Sequence, residues 1–414
     1  MIVAVCRLIG CRLLARIGAG SLVVVEQGRR HRFGSGPPAA TVELRDPRVW
    51  RMLLLRGSRG LAEAFEQGLW VSPDLVALIR LAAFNAPRLD RLRARIAPLV
   101  IPARALGLLI GRSTRARRRR DIAAHYDLGI ELFGRMLDPT LSYSCAVFED
   151  GNETLEQAQL AKLELICEKL ELGPGDRLLE IGTGWGALAV HAAATRGCHV
   201  TTTTISREQH EVATARVRRA GLEDRVTVLM QDYRDLTGSY DKLVSIEMIE
   251  AVGWRHFGAF FSKCSELLTP HGAMLLQAIT IDDRAYEVEK AAKSFINTRI
   301  FPGGCLPSLE VITRSVARDT DMQAVDLEDI TAHYVETLRH WRRQFVGSLP
   351  ELAGHGYDER FQRLWTLYLA YCEAGFAERR ICDVQLLLVK PRWRASAAAG
   401  ARTAALGVAR GGAA

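Results

Sequence analysis

Apolar and polar positions change rhythm along the chain, and each change marks a different kind of element. The opening MIVAVCRLIGCRLLARIGAG is apolar but interrupted by Arg7, Arg12 and Arg16. Arginines five and four residues apart predict an amphipathic helix with a basic face. A secretory leader would carry its positive charge ahead of the apolar run. Residues 21–26 (SLVVVE) and 41–45 (TVELR) predict two short strands joined by the turn-rich HRFGSGPPAA. Leu61–Trp70 and Pro73–Ala86 read as helices, with Ser72 as N-cap of the second. These elements predict a small α+β domain over residues 1–115, closed by the run GRSTRARRRR and a basic linker at 116–121.

From residue 122 the pattern changes to helical segments alternating with β-branched apolar runs. Strands are predicted at Arg177–Ile181, His199–Ile205, Val226–Met230, Lys242–Ile246, Ala273–Ala278 and Val384–Val389. Strands separated by helices predict a parallel, doubly wound α/β sheet over residues 122–395. The Ala/Gly/Arg-rich residues 396–414 read as a disordered tail.

Composition adds bounds. With 414 residues, 48% hydrophobic and 25% charged, the chain is long enough for two folded domains and too apolar to be disordered. The apolar stretch Ala97–Ile110 is too short to span a bilayer and contains Arg104, so a protein neither secreted nor transmembrane is expected, in the cytoplasm. Nine cysteines, an odd number without CxxC or zinc-ligand spacing, predict reduced thiols and no metal site. The net charge of +8 is unevenly spread: residues 1–120 hold 23 Arg and no Lys against 7 acidic residues, a balance of +16, and the remainder carries −8. Such a front half suits an anionic surface, either nucleic acid or membrane phosphates.

The first predicted strand of the α/β domain runs into EIGTGWG, with Gly182, Gly184 and Gly186 alternating and the acidic Glu180 just before them. Glycines there let the backbone turn and approach a ligand that side chains would exclude. The G-x-G-x-G spacing differs from the dinucleotide fingerprint and from a P-loop, and favours a compact amino-acid nucleoside over a pyrophosphate. Two later strand ends supply partners: Thr204, Ser206 and Gln209 as hydroxyl and amide groups, Asp232 as acceptor for an exocyclic amine, and Tyr233 as a stacking face. Together they predict binding of S-adenosylmethionine and a Rossmann-like class I methyltransferase domain behind the small front domain.

The segment HYDLGIELFGRMLDPTLSYSCAVF (125–148) resembles the opening of the catalytic domain of cyclopropane-fatty-acyl-phospholipid synthases and of the related mycolic acid cyclopropane synthases. LLEIGTGWG, TTTTISREQ, QDYRD, VSIEMIEAVG (244–253), FPGGCLPS (301–308), HYVETLRHW (333–341) and YLAYCEAGF (368–376) follow in the family's order, and DPRVWRMLLLRGSRGLAEAFEQGLWVSPDL (46–75) resembles its N-terminal lipid-associated module. The resemblance implies transfer of a methyl group to the cis double bond of a lipid acyl chain, then proton removal to close a cyclopropane ring. It implies bound bicarbonate as the base, held by Cys145, Glu250, Ile279 and Tyr334, with Gln277 where several relatives have His. Gln donates hydrogen bonds to an anion but carries no charge, and the same Q-A-I-T pattern resembles relatives linked to methyl-branched products. A hydride shift ending in a methylene branch is therefore the alternative outcome. Tyr143, Ser144, Thr183 and Ile205 join the cofactor contacts by the same resemblance.

A phospholipid-modifying domain behind the basic half makes anionic headgroups the expected partner, through peripheral contact on the inner face of the membrane. Arg117–Arg120 would lie at that contact, although 7 Lys against 48 Arg shows a preference for Arg throughout. No zinc finger, helix-turn-helix or RNA-binding motif accompanies the run, which argues against nucleic acid. A homodimer stays open. Two other classes compete: a small-molecule N- or O-methyltransferase sharing the cofactor fold, and a catalytically idle lipid-binding protein in which Gln277 has disabled the base.

Overall fold

The computed structural model describes residues 2–85 and 129–395. The linker expected at 116–121, Arg117–Arg120, His125, Tyr126, the stretch Ala97–Ile110 and the tail 396–414 lie outside the described residues.

The front of the chain forms a four-stranded sheet of order β2-β1-β3-β4: β1 (Gly20–Glu26), β2 (Arg29–Ser35), β3 (Ala39–Leu44) and β4 (Trp70–Val71). The β-branched run of β1 pairs antiparallel with β2 and parallel with β3. Strand β2 occupies the first half of the segment that reads as a turn. Its alternation is hidden because Arg29, Arg30 and Arg32 are exposed along an edge strand that needs only backbone pairing. The reversal from β1 takes two residues, Gln27 and Gly28, both at positive φ (50° and 77°), as a tight hairpin requires.

Helix α1 (Ile2–Leu14) precedes this sheet, and α2 (Arg48–Glu66) and a helix over 75–85 (α3) follow β3. The helix expected at Leu61–Trp70 thus begins 13 residues earlier, and a kink at Gly57 (φ 56°, ψ −136°) hides its period. Arg7 does not contribute to an outward basic face. Its Nε donates to Glu26 Oε2 at 2.6 Å, and Trp50 Nε1 donates to Glu26 Oε1 at 3.0 Å.

The seven-stranded sheet has the order β10-β11-β9-β8-β5-β6-β7. Its strands are β5 (Arg177–Ile181), β6 (His199–Thr204), β7 (Val226–Met230), β8 (Tyr240–Ile246), β9 (Leu268–Ile281), β10 (Gln323–Asp329) and β11 (Ile381–Val389). The pairs β5–β6, β6–β7, β5–β8 and β8–β9 are parallel, as alternation with helices predicts. β10 is the element not expected from the pattern: it is almost wholly exposed and joins antiparallel to β11, so the sheet is mixed at that edge. Helices α4 (Ile130–Met136) and α5 (Leu155–Lys169) precede β5, and α6 (Ala187–Arg196), α7 (Arg207–Arg219) and α8 (Phe257–Leu267) connect its central strands. Further on lie α9 (Asp283–Glu289), α10 (Leu309–Asp319), α11 (Thr331–Gly347), α12 (Leu349–Gly354) and α13 (Glu359–Ala377). Helix α5 opens with a capping box, Thr154 and Gln157 bonding each other's backbone N–H.

Two compact units result, each discontinuous in sequence. One takes residues within 1–139, 279–309 and 330–383, the other residues within 140–278, 310–329 and 384–414. In the first, Glu66 of α2 is buried and accepts Arg299 Nη2 at 3.0 Å and Arg360 at 3.2 Å, while Glu373 of α13 accepts Arg339 and Arg342 of α11. In the second, Leu178, Leu188, Val200, Val244 and Leu275 belong to one apolar core on the parallel strands and their helices. All nine cysteines are free, and burial pushes the Cys167 and Cys198 thiols up to about 12 and about 11. Among the described residues no helix is long and apolar enough to cross a membrane.

Core and edge differ accordingly in their tolerance to truncation. Leu275→Ala, at a fully buried position of β9, is expected to cost about 2–5 kcal/mol in urea unfolding. Leu327→Ala, on exposed β10, should stay within about 0.5 kcal/mol.

Candidate active site in the seven-stranded unit

Strand order reverses beside β5: the chain passes from β5 to β6 and β7 on one side, then crosses to β8 and β9 on the other. Ligands of open α/β sheets sit at the carboxyl ends of the strands flanking such a reversal. The loop 182–186 leaves β5 there. Gly182 (φ 101°) and Thr183 donate their N–H groups to Thr203 O at 3.1 and 3.0 Å, which ties the loop to β6. Gly186 (φ 85°) starts α6 so close to α7 that a Cβ would lie 3.0 Å from Ala213. Gly184 differs: at φ 51° its missing side chain would meet nothing within 4 Å, leaving backbone facing open space. Backbone left open in this way lets a ligand approach more closely than side chains would allow.

Glu180 lies beneath the loop, 3% exposed. Burial pushes its carboxyl up to about 8, against the pull of the Thr202 hydrogen bond and of Lys162. Thr202 Oγ1 donates to Glu180 Oε2 at 2.6 Å, and its hydroxyl also bonds that of Thr183. The acid therefore braces the loop through two threonines.

At the end of β6 the predicted partners serve the start of α7. Thr204 Oγ1 donates to Gln209 Oε1 at 2.8 Å, Ser206 N donates to Thr204 Oγ1 at 3.1 Å, and the Ser206 hydroxyl accepts Gln209 N at 3.3 Å. Ile205, half-buried, lies between them. At the end of β7, Asp232 accepts Arg234 twice, at 2.8 and 2.6 Å, and caps its own turn. Tyr233 packs edge-on against Phe260 at 5.4 Å.

A second buried cluster adjoins β8 and β9. Within YSCA (143–146), Tyr143 is half-buried and Cys145 fully buried. Gln159 Nε2 donates to Ser144 O at 2.8 Å, and Lys162 Nζ donates to Ser144 Oγ at 2.8 Å, both from α5. On the other side, Cys145 N–H donates to Glu247 Oε1 at 2.8 Å. Gln277 Nε2 donates to the same oxygen at 2.8 Å, and Glu247 N returns a bond to Gln277 O. Glu247 lies just past β8 in the left-handed region (φ 48°), unusual for a side chain of its size and held by these bonds. Glu250 follows in the 3₁₀ turn Ile249–Ala251.

Cys145, Gln277 and Glu250 thus share the unit that carries the glycine loop. Ile279 and Tyr334 belong to the other unit, where Tyr334 is buried, stacked on Phe376 at 4.1 Å and edge-on to Trp341. Glu247, Lys162, Gln159 and Gln385 were not among the residues expected at the site. The two carboxylates in E-x-x-E were a readable signal for Glu247; nothing local foretells a buried lysine. The donors expected to hold bicarbonate, Cys145 and Gln277, converge on this chain's own Glu247 carboxylate.

The burial of Glu180 has a pH signature. Folded Glu180 keeps its proton to about 8, whereas an unfolded glutamate releases it near 4.5. In between, the unfolded state binds fewer protons, so stability falls as pH rises across that window, by up to about 1.4 kcal/mol per pH unit. Glu180→Gln keeps an acceptor for Thr202 and should flatten that decline in urea titrations of the cofactor-free protein. An unchanged slope would show that Glu180 is ionised throughout.

The chain matches the family model for mycolic acid cyclopropane synthetase over residues 113–386. It is 38% identical over 345 residues to a tuberculostearic acid methyltransferase of Mycobacterium tuberculosis, covering 81% of this chain and 79% of that one. It is also 38% identical over 360 residues to cyclopropane-fatty-acyl-phospholipid synthase of Escherichia coli, covering 85% and 87%. Among solved structures, the cyclopropane synthase MmaA2 of Mycobacterium tuberculosis superposes with a TM-score of 0.62 at 31% identity, over 66% of this chain and 98% of that one. The mycolic acid cyclopropane synthase CmaA1, complexed with SAH and CTAB, gives a TM-score of 0.62 at 30% identity, covering 66% and 98%. With these relatives, the strand order and the glycine loop in agreement, the chain belongs to the mycolic acid cyclopropane synthetase family and is an S-adenosylmethionine-dependent methyltransferase.

Proposed function

We propose that the enzyme methylates the cis double bond of an unsaturated fatty acyl chain on a phospholipid, giving a cyclopropane fatty acid. The observation that carries this reading is the cluster in which buried Cys145 and Gln277 both donate to the half-buried Glu247, in the same unit as the glycine loop. S-Adenosylmethionine supplies an electrophilic sulfonium methyl when bound. The chain's own residues hold the YSCA segment from both sides, through Gln159 and Lys162 on one and Glu247 on the other. A carboxylate held in place by such bonds stabilises positive charge developing on the acyl chain and accepts the proton that ring closure releases. The Cys145 backbone N–H and one Gln277 N–H serve Glu247, and the reading takes this carboxylate as the base, with no step assigned to bicarbonate.

A second reading, a methylene branch formed after a hydride shift, is favoured by Gln277 itself. An amide cannot carry the proton an imidazole would, which leaves the carboxylate to receive it at either stage. Of the relatives at 38% identity, one is named a tuberculostearic acid methyltransferase and another a cyclopropane-fatty-acyl-phospholipid synthase. Incubation with S-adenosylmethionine and oleoyl phosphatidylglycerol, followed by mass spectrometry of the methyl esters, tests both. A product about 14 mass units heavier is expected (one CH₂), and its absence would sink the reading. Mild hydrogenation adds two hydrogens to a methylene branch and leaves a ring intact. Glu247→Gln should lower kcat by about 100-fold while leaving cofactor affinity within about twofold.

The lipid partner is proposed to be met as a bilayer carrying anionic headgroups, through α1. Gly10 packs where a Cβ would lie 2.5 Å from the Trp50 ring, and Arg7 is turned to Glu26, so the opposite face of α1 is outward. That face presents Val5, Leu8, Ile9 and Leu13, each 43–53% exposed, with exposed Arg12 and Arg16 at its end and no acidic residue before Glu26. An apolar stripe edged by cations suits an anionic bilayer; a second copy would bring no carboxylate on this face to those arginines. Flotation with vesicles of equal phosphatidylglycerol and phosphatidylcholine should show binding that weakens with salt. The pair Leu8→Ser/Leu13→Ser should lose binding with the melting temperature unchanged. Retained binding, or conversion from dimer to monomer instead, would overturn this assignment.

A further inference from the structure

Side chains on neighbouring strands form one directed chain of hydrogen bonds that ends at Glu247. Lys169, the last residue of α5, donates from Nζ to Gln385 Oε1 at 2.8 Å and pairs with Glu328 of β10 at 2.6 Å. Gln385 on β11, in register with Glu328, donates from Nε2 to Gln277 Oε1 at 3.1 Å. Gln277 on β9 donates in turn from Nε2 to Glu247 Oε1 at 2.8 Å, beside the bond from Cys145 N–H. Gln277 and Gln385 are 0% and 1% exposed.

The direction of this chain follows from its ends. An ammonium only donates, so Gln385 must turn its oxygen toward Lys169 and its nitrogen toward Gln277. Gln277 must then offer its oxygen to Gln385, which leaves its nitrogen for the carboxylate. Rotating either amide would set two donors or two acceptors face to face in a buried site, where an unmade hydrogen bond is most costly.

We propose that Lys169 and Gln385 are positioning residues for the reaction: they fix which way the Gln277 amide points and thereby hold the Glu247 carboxylate against the Cys145 backbone. The proposal rests on the reading of Cys145 and Glu247 as part of the reacting centre. It assigns to Lys169, at the rim of the unit with its side chain 13% exposed, an effect relayed through three side chains. A surface ion pair with Glu328 would by itself have none.

The full-length protein tests this with Lys169→Met, Lys169→Arg and Gln385→Leu. Selective ¹⁵N-glutamine labelling reads the Gln277 carboxamide directly, alongside kcat, KM and the melting temperature. Lys169→Met and Gln385→Leu should each displace the Gln277 amide signals and lower kcat by about 10–100-fold, as losing a residue that orients another ligand-contacting group does. KM for S-adenosylmethionine should stay within about twofold. Lys169→Arg, which also only donates, should restore both signals and turnover. Unmoved Gln277 signals in Lys169→Met, or losses that Lys169→Arg does not rescue or that follow the melting temperature, would overturn the proposal. A wild-type protein that makes no lipid product would sink the proposed function instead, while the amide signals still decide the orientation.

Discussion

A sheet covered on both faces leaves its polar side chains to satisfy one another, and that constraint organises this enzyme. Glu180, Thr202, Gln277 and Gln385 all lie on strands and are buried to within a few per cent. None could stay there without a partner, because a buried polar group left unpaired costs more than a hydrogen bond returns. Each therefore points to a neighbour on the next strand, and the pairings run sideways across the sheet. On one side of the strand reversal they brace the glycine loop; on the other they end at the Glu247 carboxylate. The two halves of the site are thus built from the requirement that keeps the sheet intact.

The same economy governs the loops. YSCA is held by a helix on one side and a strand end on the other, through Gln159, Lys162 and Glu247. Glu247 accepts a left-handed backbone that would be unfavourable alone, and its three bonds hold it there. A lysine buried behind the glycine loop is costly to desolvate. Here it faces Ser144 and lies close enough to Glu180 to pull that acid's proton affinity down. The −8 balance of residues 121–414 includes such internal groups, so it is only partly a surface charge.

Charge at the front of the chain is rearranged in a similar way. Arginines five and four residues apart suggested one basic helical face, but Arg7 is drawn inward by Glu26 and Trp50 reaches the same carboxylate. What remains outward on α1 is chiefly apolar, and the arginines gather at its end. On the proposed reading, attraction to a membrane would combine a buried-area contribution with a Coulombic one, where the charge count alone implied only the second.

Strand and helix identities around the glycine loop were legible from the amino-acid order, since β-branched runs of five or six residues between helical segments are a local property. So was the glycine spacing, which needs only adjacent residues to define a turn, and so was the ordered set of motifs that marks the family. The strands β2 and β10 were not legible, because edge strands are held by backbone pairing and these two leave nearly all their side chains exposed or half-exposed. Nor was the role of Gln277: the sequence could say only that an amide replaces an imidazole. Which way that amide points depends on Gln385, 108 residues further along, and on Lys169, 108 residues earlier. Local sequence determines what a residue can donate or accept; only the packed sheet decides which partner it meets, because hydrogen bonds across strands join residues that the chain order keeps far apart.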